Sequence, residues 1–289
     1  MILKVDFIIM NIVVIVPVYN EASFLDAFIE SIINQTFVPL EVLFVDDNST
    51  DDSSVIIKRY AKKYSFIDYC FHESGAYKLQ GTKVINAFNF GLKFIDIQKV
   101  DIISKIDADL ELPLNYFEKI SNSFQSDERI GVSGGRILEL HNGIWSATPQ
   151  ADYHIRGALK SYRVECFTEI GGLKPILGWD GLDEMTAFYK GWKSKIVDSD
   201  VKHFRPANSD YNKVDIAFKM GRSNYMNGGN LFLALLRTVF KIFKKKSFTY
   251  GISFLKGYLN GLNSNEARYV DDDFADFINK FHLRRIIRL

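Results

Sequence analysis

Cysteine is scarce in this chain of 289 residues, which contains only Cys70 and Cys166. Two isolated cysteines cannot build a disulfide framework or a thiolate metal cage, so a reducing compartment such as the cytoplasm is expected. Long apolar runs are missing as well. Residues 1–10 carry Lys4 and Asp6 inside an apolar stretch, so they predict neither a spanning helix of about 20 residues nor a secretory signal.

A marked net charge is also absent, since the formal charge is +1 at pH 7. That balance hides an asymmetry. Residues 202–289 contain 16 Lys and Arg against 7 Asp and Glu, giving +9, whereas residues 1–201 contain 20 against 28, giving −8. No internal repeat or low-complexity segment is visible. We therefore expect one main domain over residues 1–205 and a distinct basic region over residues 206–289.

Two aspartates stand where an apolar strand ends. The predicted strand 100–106 runs directly into Asp107 and Asp109 before the chain turns at Pro113. Hard divalent cations take oxygen ligands, often one or two carboxylates together with substrate phosphates. Ligands of open α/β sheets usually bind beyond the carboxyl ends of the strands. The pair therefore indicates an Mg²⁺ or Mn²⁺ site, although similar pairs also occur in ordinary surface turns.

Two upstream strands end in polar groups too. The first begins at Asn11, ends at Pro17 and is followed by a helix with apolar residues at a 3.6-residue period. The second covers 40–45 and stops at an acidic run, in which Ser49 or Thr50 is expected to cap the next helix, over 52–63. Three strand ends thus deliver polar groups to one edge of the predicted sheet, which packing alone does not explain.

These motifs, in this order, resemble the family-2 nucleotide-sugar glycosyltransferases of the GT-A fold. The segments are Val16-Pro-Val-Tyr-Asn-Glu21, Val45-Asp-Asp-Asn-Ser-Thr-Asp51, Asp107-Ala-Asp109 and the helix 81–91. The resemblance covers roughly residues 11–205. It implies a Rossmann-like mixed α/β sheet flanked by helices, with a catalytic domain over 1–205 and a C-terminal helical appendage. Residues 11–110 would form the nucleotide-binding half and residues 111–205 the acceptor half.

The resemblance also implies roles for the residues of the nucleotide half. Those expected to line the nucleotide pocket are Pro17, Tyr19 and Glu21, with Asp46 or Asp47 accepting a hydrogen bond from the base or the ribose. Asp109 would be the main metal ligand, while Asp107 would face the ribose or a metal-bound water. Lys83 could offset phosphate charge or belong to a solvated basic loop.

In the acceptor half, the family places a catalytic base at the start of a helix that here ends near Gly191. The usual interval of 11 residues selects Asp180 (191 − 180 = 11), and Asp183 and Glu184 remain alternatives. An inverting transfer needs such a carboxylate to deprotonate the acceptor hydroxyl. A carboxylate in a first helical turn is also favoured by the helix dipole alone.

Further contacts are expected near the sugar. Gly171 and Gly172 resemble a family segment that packs beside the donor sugar, and a glycine break in the strand 130–138 would let backbone approach the sugar closely. Trp179 would stack on an acceptor ring or fill the core. His203 is expected to join the metal or the diphosphate, and imidazole suits Mn²⁺ better than Mg²⁺.

The basic region contains a helical pattern over 230–246 with an apolar stripe and a cationic one. Such a helix binds a membrane interface or packs on the protein with its charges in solvent. Nucleic acid is not expected, because no recognition motif accompanies the charge.

The predicted activity is metal-dependent, inverting transfer from a nucleoside diphosphate sugar, with uridine the common base, to a saccharide or lipid-linked saccharide. The expected setting is bacterial surface-polysaccharide assembly, at the cytoplasmic face of the inner membrane. The alternatives are a non-catalytic sugar- or nucleotide-binding module and, ranked lower, a nucleotidyltransferase.

Overall fold

The computed structural model describes residues 10–74, 81–141, 143–205 and 212–287. The chain divides into two compact units. The first contains Met1–Pro175 and Trp179–Pro206, and the second contains Ile176–Gly178 and Ala207–Leu289. None of the helices in the described ranges combines the length and apolar character needed to cross a bilayer.

The described residues of the first unit form one sheet of nine strands. These are β1 Ile12–Val18, β2 Glu41–Asp46, β3 Ile67–Phe71, β4 Ile102–Ile106, β5 Leu110–Glu111, β6 Ile130–His141, β7 Ile144–Ala147, β8 Leu159–Arg163 and β9 Lys193–His203. The strand order is β3-β2-β1-β4-β8-β6-β9-β5, with β7 on β6. Strands β1 to β4 pair in parallel, and β8 runs antiparallel to both β4 and β6. The predicted α/β class with a mixed sheet is confirmed.

Helices cover both faces of β1, which explains its unbroken apolar sequence. The helices of this unit are α1 Ala22–Ile33, α2 Ser53–Ala61, α3 Thr82–Leu92, α4 Tyr116–Ser126, α5 Val164–Glu169 and α6 Trp179–Tyr189. Alternate residues such as Val14 and Val16 join the core formed with α1. Ile15 faces α3, where a Cβ on Gly91 would lie 3.0 Å from the Ile15 side chain. Because β1, β2 and β4 are parallel, their carboxyl ends meet at one edge.

A bulge shifts β9 relative to β6. Between Gly134 and Arg136 the partner on β9 advances by four residues where β6 advances by two, so β9 carries two extra residues. A Cβ on Gly135 would lie 2.5 Å from the Ser199 carbonyl oxygen. The glycine break therefore makes room for protein backbone, and close approach of this backbone to a sugar stays a prediction.

The second unit is helical, with α7 Lys213–Met226, α8 Leu231–Lys245, α9 Phe248–Asn263 and α10 Asp272–Ile287. Helices α7 and α9 pack backbone against backbone. A Cβ on Gly221 would overlap the Phe254 carbonyl oxygen, and one on Gly257 would overlap that of Phe218. Gly221 of α7 and Gly257 of α9 therefore let the two helices approach closely.

Candidate functional site

The turns after β1 and β2 are tied together by hydrogen bonds. Asn20, in the left-handed region at φ 56°, donates its backbone N–H to Ser49 Oγ at 3.0 Å. Its Oδ1 accepts the Thr50 N–H at 2.8 Å. The prediction that Ser49 or Thr50 caps α2 was wrong, and Asp51 accepts the Ser53 N–H at 3.0 Å instead. The polar run fixes two distant turns against each other, and such long-range partners cannot be found from local sequence.

Asp46 is the last residue of β2 and Asp47 follows it, and both carboxylates are buried with fixed partners. Asp46 accepts the Ser49 N–H at 2.9 Å and the Tyr69 hydroxyl at 3.3 Å. Asp47 lies 2.7 Å from His72 Nδ1. A carboxylate has about four acceptor positions, so each aspartate can accept a further donor at the strand end.

Pro17, Tyr19 and Lys83 flank the same edge. Pro17 is buried inside β1, where it pairs with Val45, so this strand ends one residue later than predicted. Tyr19 is 46% exposed, and Lys83 Nζ lies 5.6 Å from the centre of its ring. Tyr19 and Lys83 therefore form an accessible aromatic–cation pair beside the first turn of α3.

A charged cluster joins Glu21, Asp109, His203 and Arg205. Asp109 Oδ2 lies 3.3 Å from His203 Nε2 and 3.5 Å from Arg205 Nε, and Arg205 also pairs with Glu21. The pairing of β5 with β9 brings these groups together, and the Phe204 N–H donates to the Asp109 carbonyl oxygen at 3.0 Å. Residues far apart in sequence thus meet where β1 and β4 end.

The electrostatics of this cluster are shaped by burial and by close charges. Burial, with repulsion from Asp109, raises the pKa of Glu21 to about 7, although Arg205 opposes the rise. Burial disfavours a charged His203, but the Asp109 carboxylate outweighs it and raises the pKa of that imidazole above its usual value. Cationic side chains therefore balance the carboxylates of the cluster.

The cluster offers donors suited to a divalent cation that is shared with a phosphorylated ligand. Among the described residues, no three His, Cys, Asp or Glu side chains are arranged to hold a metal ion. Asp109 and His203 supply two donors side by side. Glu21 Oε2 and His203 Nδ1 are buried and have no hydrogen-bond partner within the described ranges. An incomplete protein set of this kind fits a cation whose remaining ligands are phosphate oxygens.

Asp107 has different partners from Asp109. The buried Lys105 pairs with Asp107 and donates to the Gly157 carbonyl oxygen at 2.8 Å. Burial raises the pKa of Asp107 despite the opposing charge of Lys105. The hydrogen bond from Lys105 to Gly157 connects the end of β4 to the segment before β8.

A second buried lysine, Lys160, organises the first turns of α6. Its Nζ lies 2.9 Å from both carboxylate oxygens of Asp183 and 3.1 Å from Glu184 Oε1. Glu184 also accepts the Ile155 N–H at 2.7 Å and lies 2.8 Å from His154 Nδ1. Burial raises the pKa of Asp183, with Lys160 opposing it and Glu184 adding to it. Two of the three candidate bases are therefore buried and held by protein partners.

Asp180 and Trp179 occupy different environments on α6. The Asp180 side chain is 35% exposed, and its Oδ2 lies 4.0 Å from His154 Nε2. Trp179 is buried, with Lys105 Nζ and Lys160 Nζ at 5.5 and 5.6 Å from its ring centre. Trp179 therefore lies in the core close to both ammonium groups, and its stacking on an acceptor ring stays a prediction.

Gly171 and Gly172 follow α5 with φ values of 76° and 72°, in the left-handed region. Gly172 lines a small recess together with Trp179 and Asp183. Asn89 on α3 donates to the neighbouring Leu173 carbonyl oxygen at 3.0 Å. The double-glycine turn thus lies between α3 and α6.

Three groups of sequence-predicted residues stand out. Asp46 and Asp47 lie at the end of β2, Glu21, Asp109 and His203 share the charged cluster, and Asp180, Asp183 and Glu184 start α6. Sequence reasoning missed Lys105, Lys160 and Arg205. A lysine inside an apolar strand is a usable signal, since a buried ammonium group requires an anionic partner.

Comparison with known proteins gives the family. The sequence model of the family described as Glycosyl transferase family 2 matches residues 13–168, more than half of the chain. The Minor teichoic acid biosynthesis protein GgaB of Bacillus subtilis (strain 168) is 35% identical over 116 residues, covering 38% of this chain. That match spans only 12% of the length of GgaB.

Solved structures agree on the fold. The mannosyltransferase PcManGT from Pyrobaculum calidifontis, in complex with GDP-Man and Mn²⁺, is similar with a TM-score of 0.59 and 15% identity, covering 89% of this chain and 88% of that one. TarS 1–349 of S. aureus, in complex with UDP, gives a TM-score of 0.56 and 17% identity, covering 87% and 92%. The predicted GT-A fold is thus confirmed. This chain belongs to glycosyltransferase family 2.

Proposed function

We propose that this glycosyltransferase moves one sugar, with inversion, from a nucleoside diphosphate sugar to a saccharide or lipid-linked saccharide. The observation that carries the proposal is the meeting of Glu21, Asp109 and His203 at the ends of β1, β4 and β9. UDP is the first donor nucleotide to test, since TarS 1–349 is described in complex with it. The name of GgaB, a teichoic acid biosynthesis protein, supports cell-surface polysaccharide synthesis as the setting.

The nucleoside is assigned to the edge formed by β1 and β2. The fixed carboxylates of Asp46 and Asp47 would accept hydrogen bonds from the base or the ribose, and Tyr19 would lie against the base. Lys83, 5.6 Å from the Tyr19 ring centre, would approach the diphosphate. Asp107, oriented by Lys105, would face the ribose.

Asp109 and His203 would hold Mn²⁺ or Mg²⁺, with Glu21 beside them. A cation bound there would stabilise the charge of the departing nucleoside diphosphate as a Lewis acid. Arg205 now pairs with both Glu21 and Asp109, so its guanidinium would exchange these partners for phosphate oxygens when the donor binds. The buried Asp109 carboxylate keeps a fixed place because the neighbouring strand pairing holds its backbone.

Asp180 is the base we assign, because Asp183 and Glu184 are engaged with Lys160. As the acceptor oxygen forms its bond to the anomeric carbon, the bond from that carbon to the diphosphate oxygen breaks. The acceptor proton moves to the Asp180 carboxylate, which is accessible enough to meet it. Attack on the face opposite the leaving group gives inversion.

Calorimetric titration with UDP, with and without Mn²⁺, tests the donor site. We expect metal-dependent binding by the wild-type protein, loss of that dependence in Asp109→Asn, and no change in Asp26→Asn, whose exposed carboxylate pairs with Arg59 on the surface. Binding that is equally metal-dependent in Asp109→Asn would refute the assignment of this ligand. Failure to bind UDP, with GDP bound instead, would move the proposal to another nucleotide.

Turnover tests the base. Asp180→Asn should keep UDP binding and lower kcat by about 10²–10⁴-fold, the range of general base catalysis. The anomeric configuration of the product, read by NMR, tests inversion. Full turnover by Asp180→Asn would exclude this base, whereas donor binding without turnover across a broad acceptor screen would favour a non-catalytic sugar-binding protein.

A further inference from the structure

Helix α8 of the second unit presents one row of large apolar residues to solvent. We call the residues Phe232, Leu235, Val239, Phe240 and Phe243 the outer stripe. Phe240 and Phe243 are 61% and 75% exposed, and the other three are between 45% and 58% exposed. At 100° per residue these five side chains share one side of the helix. A contiguous apolar surface of this kind marks an interaction site.

The inner side of α8 is made by other residues. Leu233, Ala234 and Thr238 are buried. Lys241 turns inward as well, with its ammonium 4.9 Å from the ring centre of Phe254 on α9. An ordinary surface helix buries its apolar stripe and exposes its charges. Here the outer stripe is exposed although Lys241 turns inward, so packing within the second unit does not account for the outer stripe.

Positive charge borders the outer stripe. Residues 231–246 contain Arg237, Lys241, Lys244, Lys245 and Lys246, and no Asp or Glu. Lys244 Nζ lies 5.5 Å from the Phe240 ring centre, at one margin of the stripe. Burial, followed by repulsion from the neighbouring cations, lowers the pKa of Lys241 to about 8. The helix therefore combines an exposed apolar surface with a strongly positive field.

We propose that the outer stripe and its bordering cations bind the surface of an anionic lipid bilayer, with the helix lying in the plane of the interface. The phenylalanines would enter the boundary between headgroups and acyl chains, while Lys244 and Lys245 extend to the lipid phosphates. A second copy of this chain fits less well, because a symmetric contact would bring two acid-free, cationic helices together. The proposal is independent of the donor chemistry, so a variant without transfer activity would still bind lipid.

Co-sedimentation with vesicles tests the proposal, using the full chain. One set contains phosphatidylcholine alone and the other also contains phosphatidylglycerol. We expect binding to the anionic set only, weakened by added salt. Lys244→Gln and Lys245→Gln should each weaken it about fivefold, as expected for one cation at a charged surface. Phe240→Ser with Phe243→Ser should weaken it by tenfold or more.

The matched control is Phe94→Ser, because Phe94 is 59% exposed but belongs to the first unit. It should leave vesicle binding unchanged, and circular dichroism should show that every variant is folded. Absence of binding to anionic vesicles would overturn the proposal, as would equal weakening by Phe94→Ser. A dimer in solution that becomes monomeric in the Phe240/Phe243 variant, without vesicle binding by the wild type, would assign the stripe to a second copy instead.

Discussion

Replacing Lys160 with methionine keeps a long side chain and removes the ammonium group that lies among Asp183, Glu184 and the Trp179 ring. Lys160 and Glu184 have no exposed side-chain surface, and Asp183 has 3%. Removing one partner of a buried ion pair costs about 3–5 kcal/mol, because the remaining charge is left without compensation.

The remaining contacts place the expected loss near the lower end of that range. Asp183 would keep its bond from the Tyr162 hydroxyl, and Glu184 would keep the Ile155 N–H. A loss of about 3 kcal/mol corresponds to a change of roughly a hundredfold in the unfolding equilibrium. Protonation of Asp183 would relieve its uncompensated charge, so the loss of stability in Lys160→Met should depend on pH.

The direction of this pH dependence follows from Asp183, whose pKa is raised by burial in the folded protein. Between the unfolded and folded pKa values the folded state binds more protons, so stability falls as pH rises. Loss of Lys160 raises the pKa of Asp183 in the folded protein further, because the opposing positive charge is removed. The deficit of Lys160→Met should therefore be larger at about pH 8 than at about pH 5.

Urea unfolding followed by tryptophan fluorescence measures this loss in the first unit alone, since Trp145, Trp179 and Trp192 all belong to it. The matched control is Lys193→Met, which breaks an exposed pair with Asp127 at 2.7 Å and should lose far less, because water solvates both charges. Equal losses in the two variants, or a deficit that does not change with pH, would refute the reasoning.

Two further predictions concern backbone packing and titration. Gly221→Ala should destabilise the second unit by about 1–3 kcal/mol, because its Cβ would overlap the Phe254 carbonyl oxygen. The control is Gly181→Ala, where a Cβ meets nothing within 4 Å and no loss of stability in the first unit is expected. Hydrogen exchange, followed separately in each unit, measures the two effects. Burial and the nearby arginines lower the pKa of His282 to about 3, so the unfolded state binds more protons below about pH 6.5 and stability is lost as pH falls towards 3. His282→Gln should flatten that pH dependence in chemical denaturation, and an unchanged slope would contradict this explanation.

The parallel half of the sheet could be predicted from sequence because its signals are local. An apolar run that ends in Tyr19 and Glu21, or in Asp46, shows both the strand and its functional end. The order of motifs then identified the family. The helices predicted over 52–63, 81–91 and 230–246 were also placed within two residues at each end, since the apolar period is a local feature.

The charged cluster and the α6 network were harder to predict because their partners lie far apart in the chain. Arg205 is separated from Glu21 by 184 positions, and its role depends on the pairing of β5 with β9. Lys105 and Lys160 face each other in the register of β4 and β8, which a single strand pattern does not reveal. Ser49 was wrongly predicted as a helix cap. Its hydroxyl accepts the Asn20 N–H instead, and this tertiary contact is not visible in the local sequence.

Because of the bulge in β9, the number of residues in that strand determines where His203 lies relative to Asp109. Because the side-chain period of a strand is two, deleting two residues there would leave each side chain on its original face and the hydrophobic pattern intact. The same deletion would draw His203 about 7 Å along the sheet, away from Asp109. Homologous sequences that differ by two residues in this strand would therefore look alike in composition and differ in whether they can assemble the charged cluster.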